Sequence, residues 1–103
     1  MIYLNEQLSK MNNDEVEYAV GKKLGDVYKD SDGRLIRNYE RYSKQFNPTK
    51  SWNDVMPIAE KYKFNISLAS YSVAVTWLGY KMVNHNRNIK RCICEVFLMM
   101  DIN

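Results

Sequence analysis

The chain has 103 residues, 46% of them apolar and 26% charged, and it carries a formal net charge of +3. These values indicate a single compact domain over residues 1–103, and they exclude both a disordered tail and an enzyme built from separate cofactor and substrate domains. Because no run reaches the roughly 18 apolar residues of a membrane span and the first residues lack a signal-peptide pattern, we expect a cytoplasmic protein with no membrane partner.

The first predicted element is a helix that begins near residue 13. Apolar side chains recur at i, i+3, i+4 and i+8 from Val16, a spacing that places them on one helical face. Asn12 or Asn13 can cap the start, and Gly25 stands where a left-handed residue often ends a helix. Lysines in its last turn suit its negative end.

A β-hairpin is predicted next. Residues 26–29 and 34–42 are β-prone runs, and the Asp-Gly pair at 32–33 between them is a hairpin signal. The acidic residues of this turn do not form an EF-hand, because the twelfth position counted from Asp30 is Arg41 and not the glutamate that calcium needs.

A second helix follows the loop 46–51, and its start can be placed in two ways. If Ser51 is the N-cap, Pro57 lies near the sixth position and kinks the helix. If Asp54 is the N-cap, Pro57 lies in the first turn, where no N–H is needed. Ser51 and Asp54 also resemble a shortened capping box. The sequence leaves both placements open.

The second half of the chain predicts two more strands and a closing helix. Residues 64–68 and 71–80 are rich in β-branched and aromatic residues. Residues 89–100 keep a strict helical spacing of apolar side chains, and Asn86 or Asn88 can cap this helix.

The apolar arc of the closing helix is wide, because Leu98, Met99 and Ile102 lie beyond its main stripe. Two explanations stay open. The extra residues either cover a second side of the sheet or bury an interface between copies of the chain, so a homo-oligomer is one expectation.

The predicted order of elements is α-β-β-α-β-β-α. Hairpin-like pairs punctuated by helices favour an α+β fold, with an antiparallel sheet of about four strands packed with helices. Apolar residues of the predicted strands, among them Ile36, Val75 and Trp77, occupy positions that point to both faces of the sheet. We therefore expect helices to cover both faces of the sheet.

Five short motifs are spread over most of the chain. They are Phe46-Asn47-Pro48, Trp52, Met56-Pro57-Ile58, Asn88-Ile89-Lys90-Arg91 and Cys94–Met100. Together they resemble the NinX-like family of small proteins of tailed bacteriophages. The chain departs from the family pattern by having Ile89-Lys90 where proline and leucine are usual, and by placing Trp52 earlier relative to Pro57.

The resemblance implies a phage or prophage accessory protein that acts in the bacterial cytoplasm, in an α-β-α sandwich-like architecture. The motif residues that it marks as structural are Asn47, Pro48, Trp52 and Pro57.

The cysteines and the single histidine do not predict a metal site. Structural zinc needs about four N or S ligands at characteristic spacings, which Cys92, Cys94 and His85 do not supply. On a helix, residues two apart point about 200° from each other, so the two thiols do not face one another. We expect two reduced core cysteines and no metal or other cofactor.

The chain offers few groups for catalysis. His85 is the single imidazole and lies in an asparagine-rich turn, and the glycines are scattered, so no phosphate-binding loop is present. We therefore expect no catalytic residues and a non-enzymatic protein.

Tyrosine and arginine cluster in the predicted strand 34–42. Both residue types are enriched at protein interaction hot spots. The candidate protein-binding residues are Arg37, Tyr39, Arg41 and Tyr42. A host protein is the expected partner.

An alternative site combines aromatic and basic residues of the second half, in which residues 61–103 carry six basic and two acidic side chains. Aromatic faces can stack bases, and arginine or a helix N-terminus can hold phosphate. The candidate nucleotide-binding residues are Trp77, Asn88, Lys90 and Arg91, with Tyr71 and Arg87 nearby.

The competing explanation for this cluster is structural. Trp77 is then a core residue, and Lys90 and Arg91 lie on the solvent-exposed face of the last helix. Arg91 can reach a neighbour such as Asp54. Double-stranded DNA is not an expected partner, because no helix is dense in arginine, asparagine and glutamine.

Small size, the lack of catalytic groups and the family resemblance favour one function. The expected protein is a non-enzymatic phage accessory protein that binds and inhibits or sequesters a host component, such as part of an antiphage defence system. One alternative is a binder, or sponge, of a nucleotide signalling molecule. A second alternative is a small enzyme with an unrecognised site.

Overall fold

The computed structural model describes residues 3–68, 72–84 and 88–100. The helices in these ranges are α1 (Asn5–Ser9), α2 (Asn13–Leu24), α3 (Trp52–Tyr62) and α4 (Ile89–Met99). The strands are β1 (Val27–Lys29), β2 (Leu35–Asn38), β3 (Ser43–Gln45), β4 (Asn65–Leu68), β5 (Val73–Trp77) and β6 (Tyr80–Asn84). The described strands form two three-stranded antiparallel sheets, in the orders β1-β2-β3 and β4-β5-β6.

The α+β class is confirmed, whereas the prediction of one sheet with about four strands is wrong. The predicted strand 34–42 is cut by a turn over residues 39–42, in which the Tyr39 N–H donates to the Tyr42 carbonyl oxygen at 2.7 Å. Asn38 therefore pairs with Ser43, and the chain returns as β3. The predicted hairpin becomes a three-stranded sheet.

The predicted strand 71–80 is cut in the same way. Leu78 and Gly79 have φ values of 44° and 94°, the left-handed pair that a two-residue type I′ hairpin requires. Trp77 and Tyr80 are paired across this turn, which separates β5 from β6. The first residue of the predicted strand, Tyr71, lies outside the described ranges.

Helix α2 has the ends that its sequence predicts. The Asn12 side chain accepts the Glu15 N–H at 2.8 Å, and the Glu15 carboxylate accepts the Asn12 N–H at 3.0 Å. This reciprocal pair is a capping box. Gly25 ends the helix with a φ of 88°. The short helix α1 was not predicted, because five residues with one buried side chain, Leu8, give no periodic signal.

Helix α3 begins after Ser51, so Pro57 lies inside it, as the first of the two placements had it. The suggested capping box is wrong, since the Ser51 side chain makes no capping hydrogen bond. Pro57 is exposed, and so is Asn53, whose carbonyl would have accepted the missing N–H. Water can therefore satisfy that carbonyl oxygen.

Helix α4 lies at the centre of the fold, against α2, α3, β5 and β6. All its residues from 92 to 99 are buried. Leu98 and Met99 are 0% and 8% exposed, so the wide apolar arc is buried within the chain and these two residues do not form a dimer interface. Ile102 lies outside the described ranges.

The two cysteines are buried thiols in the core, as predicted. Burial raises the pKa of the Cys94 thiol well above its usual value, and the carboxylates of Glu17 and Glu95 raise it further. A thiol that stays protonated is a poor nucleophile and a poor metal ligand, so Cys94 acts as a small core residue.

The end of α4 is closed by a cation from another helix. The Lys23 ammonium donates to the carbonyl oxygens of Phe97 and Met100 at 2.5 and 2.6 Å. It also lies 4.8 Å from the centre of the Phe97 ring. This lysine was expected to serve the end of its own helix, α2, and instead it satisfies carbonyls at the end of α4.

The sheet β4-β5-β6 is covered on one face. Val73 and Val75 point towards α4 and are 2% and 0% exposed. On the opposite face none of the residues Asn65, Ser67, Ala74, Thr76, Lys81 and Val83 is buried. The expectation of helices on both faces, and with it a sandwich-like arrangement, is wrong for this sheet.

No helix in the described ranges combines the length and apolar character that a bilayer crossing requires.

Candidate functional site

The β2–β3 hairpin brings together the residues predicted to bind a protein. We call Arg37, Tyr39, Arg41, Tyr42 and Lys44 the hairpin patch. Arg37 on β2 is directly opposite Lys44 on β3, and the turn 39–42 carries the other three residues. Because residues directly opposite in an antiparallel pair point to the same face, the two cations stand side by side beneath the turn.

The centre of the hairpin patch is a stacked pair of tyrosines. The rings of Tyr39 and Tyr42 have centroids 4.9 Å apart and planes inclined by 19°. The guanidinium carbon of Arg37 lies 5.2 Å from the Tyr39 ring centre, and the Lys44 ammonium lies 5.8 Å from it. Stacking and cation–π attraction therefore hold Tyr39 on several sides.

Each of the two cations is anchored by a carboxylate from another element. Arg37 Nε lies 3.2 Å from the carboxylate of Asp26, and Lys44 Nζ lies 3.0 Å from Asp54 Oδ1. The adjacent carboxylate of Asp54 raises the pKa of Lys44, so the ammonium stays charged. The hairpin patch is thus fixed to α3 and to the segment before β1.

Asp54 is the buried anchor of this arrangement. Its side chain is 2% exposed, and its second oxygen accepts the Asn47 N–H at 2.8 Å. The carboxylate thus ties the loop before α3 to the lysine of β3. Sequence reasoning assigned Asp54 to a helix cap and missed Lys44, because it ended the predicted strand at Tyr42 and did not pair β3 with β2.

The hairpin patch offers an aromatic surface surrounded by positive charge. Tyr42 is 59% exposed, Arg41 is exposed, and Tyr39 is half-buried beneath its partner ring. These groups can pack against an apolar pocket and pair with carboxylates on its rim.

Arg91, proposed as a nucleotide ligand, is bound within the protein. Its Nε donates to Glu95 at 2.9 Å and its Nη1 to the Asn13 side chain at 2.8 Å. Its Nη2 donates to the carbonyl oxygens of Leu8 and Met11 at 2.9 and 2.7 Å. Arg91 therefore ties α4 to the connection between α1 and α2, and its carboxylate partner is Glu95, not Asp54.

The carboxylate of Glu95 is buried with this arginine. Burial raises the pKa of Glu95, while the hydrogen bond and the charge of Arg91 lower it, and the net direction is upward. The hydrogen bond and the opposite charges of Arg91 and Glu95 stabilise this pair, whereas burial of the two groups away from water weakens it.

The other proposed nucleotide-binding residues lie in separate contacts. Asn88 caps α4, with its side chain accepting the Arg91 N–H at 3.1 Å. The Lys90 ammonium lies 4.7 Å from the centre of the Trp52 ring, and Trp77 is stacked on Tyr80 with ring centroids 5.7 Å apart. Tyr71, His85 and Arg87 lie outside the described ranges.

The four motif residues fall into two groups. Pro48 is buried and the Asn47 N–H is bound by Asp54, so both hold the loop before α3. Trp52 is 45% exposed and Pro57 is exposed. The exposed ring of Trp52, covered on one side by Lys90, is a surface feature that sequence reasoning had treated as structural.

A polar cleft of about 320 Å³ lies between α2 and the sheet β1-β2-β3. Buried Glu17 and Phe46 are among the residues that line it, together with Lys29, Arg34 and Lys50. Glu17 accepts hydrogen bonds from the Thr49 backbone and hydroxyl at 3.1 and 2.8 Å. This carboxylate holds the 46–50 loop in place.

Within residues 3–68, 72–84 and 88–100, no three histidine, cysteine, aspartate or glutamate side chains come together as metal ligands.

The family described as Bacteriophage P22, NinX matches residues 7–100 of the chain. The matched range contains the whole hairpin patch and all four motif residues. No curated protein and no solved structure matches the chain.

Proposed function

Because the chain belongs to the bacteriophage P22 NinX family, we propose that it is a non-enzymatic phage accessory protein that binds a host protein through the hairpin patch. Binding inhibits or sequesters the host protein in the cytoplasm of the infected bacterium. A component of an antiphage defence system is the class of target that we favour.

The observation that carries this proposal is the stacked pair of Tyr39 and Tyr42 on anchored cations. Tyrosine and arginine dominate the binding energy of many protein interfaces. Side chains that are already held in one arrangement lose less entropy on binding than mobile ones. An exposed tyrosine on such a support therefore has the properties of an interaction anchor.

The charges of the hairpin patch indicate the chemistry of its partner. Arg37 and Lys44 are partly neutralised by Asp26 and Asp54, whereas Arg41 is exposed on the turn. The partner that fits is a protein surface with an apolar pocket for Tyr42 and a carboxylate within reach of Arg41. Such a charge on the rim of an interface acts mainly on the association rate and its salt dependence.

The experiment is quantitative affinity capture from infected host lysate, followed by mass spectrometry of the retained proteins. We compare the wild type with Tyr42→Ala and with the control Tyr28→Ala. Tyr28 lies on β1 of the same sheet and is 47% exposed, against 59% for Tyr42.

We expect one host protein to be retained by the wild type and by Tyr28→Ala, and to be lost or reduced at least about tenfold with Tyr42→Ala, the scale of one hot-spot residue. Circular dichroism of each variant confirms that the fold is retained. Equal retention of that protein by both variants would contradict the hairpin patch as the binding surface.

The nucleotide sponge has weaker support, because Arg91 and Asn88 are used in internal hydrogen bonds. The same capture distinguishes it when small molecules are released from the denatured protein and analysed. An unchanged nucleotide at one equivalent per chain favours the sponge. A chemically altered small molecule favours the enzyme alternative.

A further inference from the structure

The sheet β4-β5-β6 has two edges that differ in charge. The edge strand β6 carries Lys81, which points to the open face of the sheet. The opposite edge strand β4 has the sequence Asn65-Ile66-Ser67-Leu68, with no charge and no proline. Lysine, proline and bulges are the usual devices that prevent an edge strand from pairing with another chain.

Strand β4 also exposes apolar side chains. Leu68 is 71% exposed and Ile66 is 37% exposed, although both point to the face on which Val73 and Val75 are buried. These two side chains extend the apolar face of the sheet beyond the part that α4 covers. An additional strand beside β4 would bury them.

We propose that β4 pairs antiparallel with β4 of a second copy of this chain, so that two three-stranded sheets join into one of six strands. Charge favours a second copy at this edge. A neutral strand meets its own copy without like charges opposite each other, whereas pairing β6 with its copy places lysines close together. A two-fold axis makes the contact self-complementary.

The pleat of the sheet limits the register. Directly opposite residues share a face, so an apolar face that continues across the two-fold axis needs residues of the same parity opposite each other. Two registers meet this condition, one with Ile66 opposite its own copy and one with Ser67 opposite its own copy. We assign the second, in which Ile66 lies opposite Leu68 of the second copy and Leu68 opposite its Ile66, because the two exposed apolar side chains then face each other. Both apolar pairs are buried on the α4 side, and the two serines meet on the open face.

A contact between two strands of four residues is smaller than a standard protein interface of about 1,600 Å². We therefore expect a weak dimer, with a dissociation constant of about 10–100 µM. It follows that dilution dissociates the dimer, and that the dimer carries two copies of the hairpin patch.

The first test is sedimentation equilibrium of the full chain from about 1 to 300 µM, a range that brackets the expected dissociation constant. We compare the wild type with Leu68→Lys and with the control Leu78→Lys. Leu78 is 82% exposed at the β5–β6 turn, so both variants place a lysine at an exposed leucine of the same sheet.

We expect the wild type and Leu78→Lys to dimerise alike, and Leu68→Lys to weaken the association at least tenfold. A wild type that stays monomeric over the whole range overturns the proposal. A dimer that Leu68→Lys leaves unchanged also overturns it, because the copies then associate through another surface.

The second test is disulfide cross-linking, which reports the register. Cys92 and Cys94 are fully buried, so a cysteine added at the surface is the accessible thiol for mild oxidation. Ser67→Cys is expected to form an intermolecular disulfide within the dimer, and Lys81→Cys on the other edge is the control. Failure of Ser67→Cys to cross-link, or equal cross-linking by the two variants, contradicts the predicted pairing.

Discussion

The ring of Tyr42 lies on the ring of Tyr39, with centroids 4.9 Å apart and planes inclined by 19°. The contact depends on the turn between them, which the Tyr39 N–H closes by donating to the Tyr42 carbonyl oxygen at 2.7 Å. In a continuous strand, residues three apart point to opposite faces. The stacked pair therefore exists because the predicted strand is interrupted at this turn.

The first prediction concerns the anchor of the hairpin patch. Lys44→Ala leaves the Asp54 carboxylate, 2% exposed, without its cation. We expect the free energy of unfolding to fall by about 1–2 kcal/mol, below the value for a fully buried pair because the Lys44 side chain is 37% exposed. Urea denaturation followed by circular dichroism measures the loss.

The control for Lys44→Ala is Arg41→Ala, an exposed residue of the adjacent turn. We expect it to change stability by less than about 0.5 kcal/mol. If the two variants have equal stability, the ion pair between Lys44 and Asp54 does not hold the hairpin.

The second prediction concerns the hydrogen bonds of Arg91. Arg91→Ala leaves Glu95 buried without its cation and removes a donor from each carbonyl that Arg91 binds. We expect a loss of about 3 kcal/mol in the free energy of unfolding. Lys90→Ala, the adjacent position, removes the cation–π contact with Trp52 and is expected to lose about 0.5–1 kcal/mol. Similar losses in both variants would argue against Arg91 as a structural tie.

The third prediction concerns the contact between α2 and β1 at Gly21. A Cβ atom at position 21 would lie 2.8 Å from Val27 Cγ1 and 3.0 Å from Val27 Cβ. Gly21→Ala is therefore expected to destabilise the protein by about 1–3 kcal/mol, although alanine is the better helix former. The measurement is the midpoint of thermal unfolding, and adding Val27→Ala is expected to recover part of the loss. No recovery in the double variant would show that the clash is not with Val27.

The fourth prediction concerns the β5–β6 turn. Leu78 has a φ of 44° and is 82% exposed, so its side chain adds little packing while its backbone is strained. Leu78→Asn gives the Asn-Gly pair that type I′ turns favour. We expect a gain of about 1 kcal/mol in the free energy of unfolding. Leu68→Asn, at an exposed leucine of β4 outside the turn, is the control and is not expected to stabilise the protein.

The fifth prediction is a pH dependence set by Glu95. Burial raises its pKa in the folded protein, so the folded state binds this proton more tightly than the unfolded state does. The contribution of Glu95 to stability is complete below the ordinary glutamate pKa, and it is lost as the pH rises from about 4 through the raised pKa.

Glu95→Gln removes this proton equilibrium and keeps an oxygen that can accept from Arg91. The stability of the glutamine variant relative to the wild type is therefore expected to increase as the pH rises from about 4 to 7. Urea denaturation at several pH values measures it, with Glu6→Gln on the exposed part of α1 as control. A relative stability that does not depend on pH would contradict the assignment.

Several elements were predictable because their signals are local. Asn12 and Asn88 were both among the named candidate caps, and Gly25 ends α2 as its position indicated. The helical spacing over residues 89–100 identified α4 as a helix. A cap or a left-handed glycine depends on atoms within about one turn of the residue, so the sequence contains what is needed to recognise it.

The two extra turns and the split into two sheets were not predictable in this way. Leu78 is a poor candidate for a left-handed residue, and residues 39–42 include neither glycine nor proline. These turns form because pairing of the strands on either side outweighs a weak local preference. The hairpin patch follows from the same cause.

The sequence by itself determined the α+β class, the glycine that ends α2 and the place of the two cysteines in the core, and it narrowed the N-caps of α2 and α4 to two asparagines each. Only the tertiary structure decided that Lys23 closes α4, that Arg91 binds the carbonyl oxygens of Leu8 and Met11, and that Asp54 holds Lys44. The physical reason is distance along the chain. Backbone preferences act between neighbouring residues, whereas a buried charge takes its partner from whichever remote segment the packing of the core brings within about 3 Å.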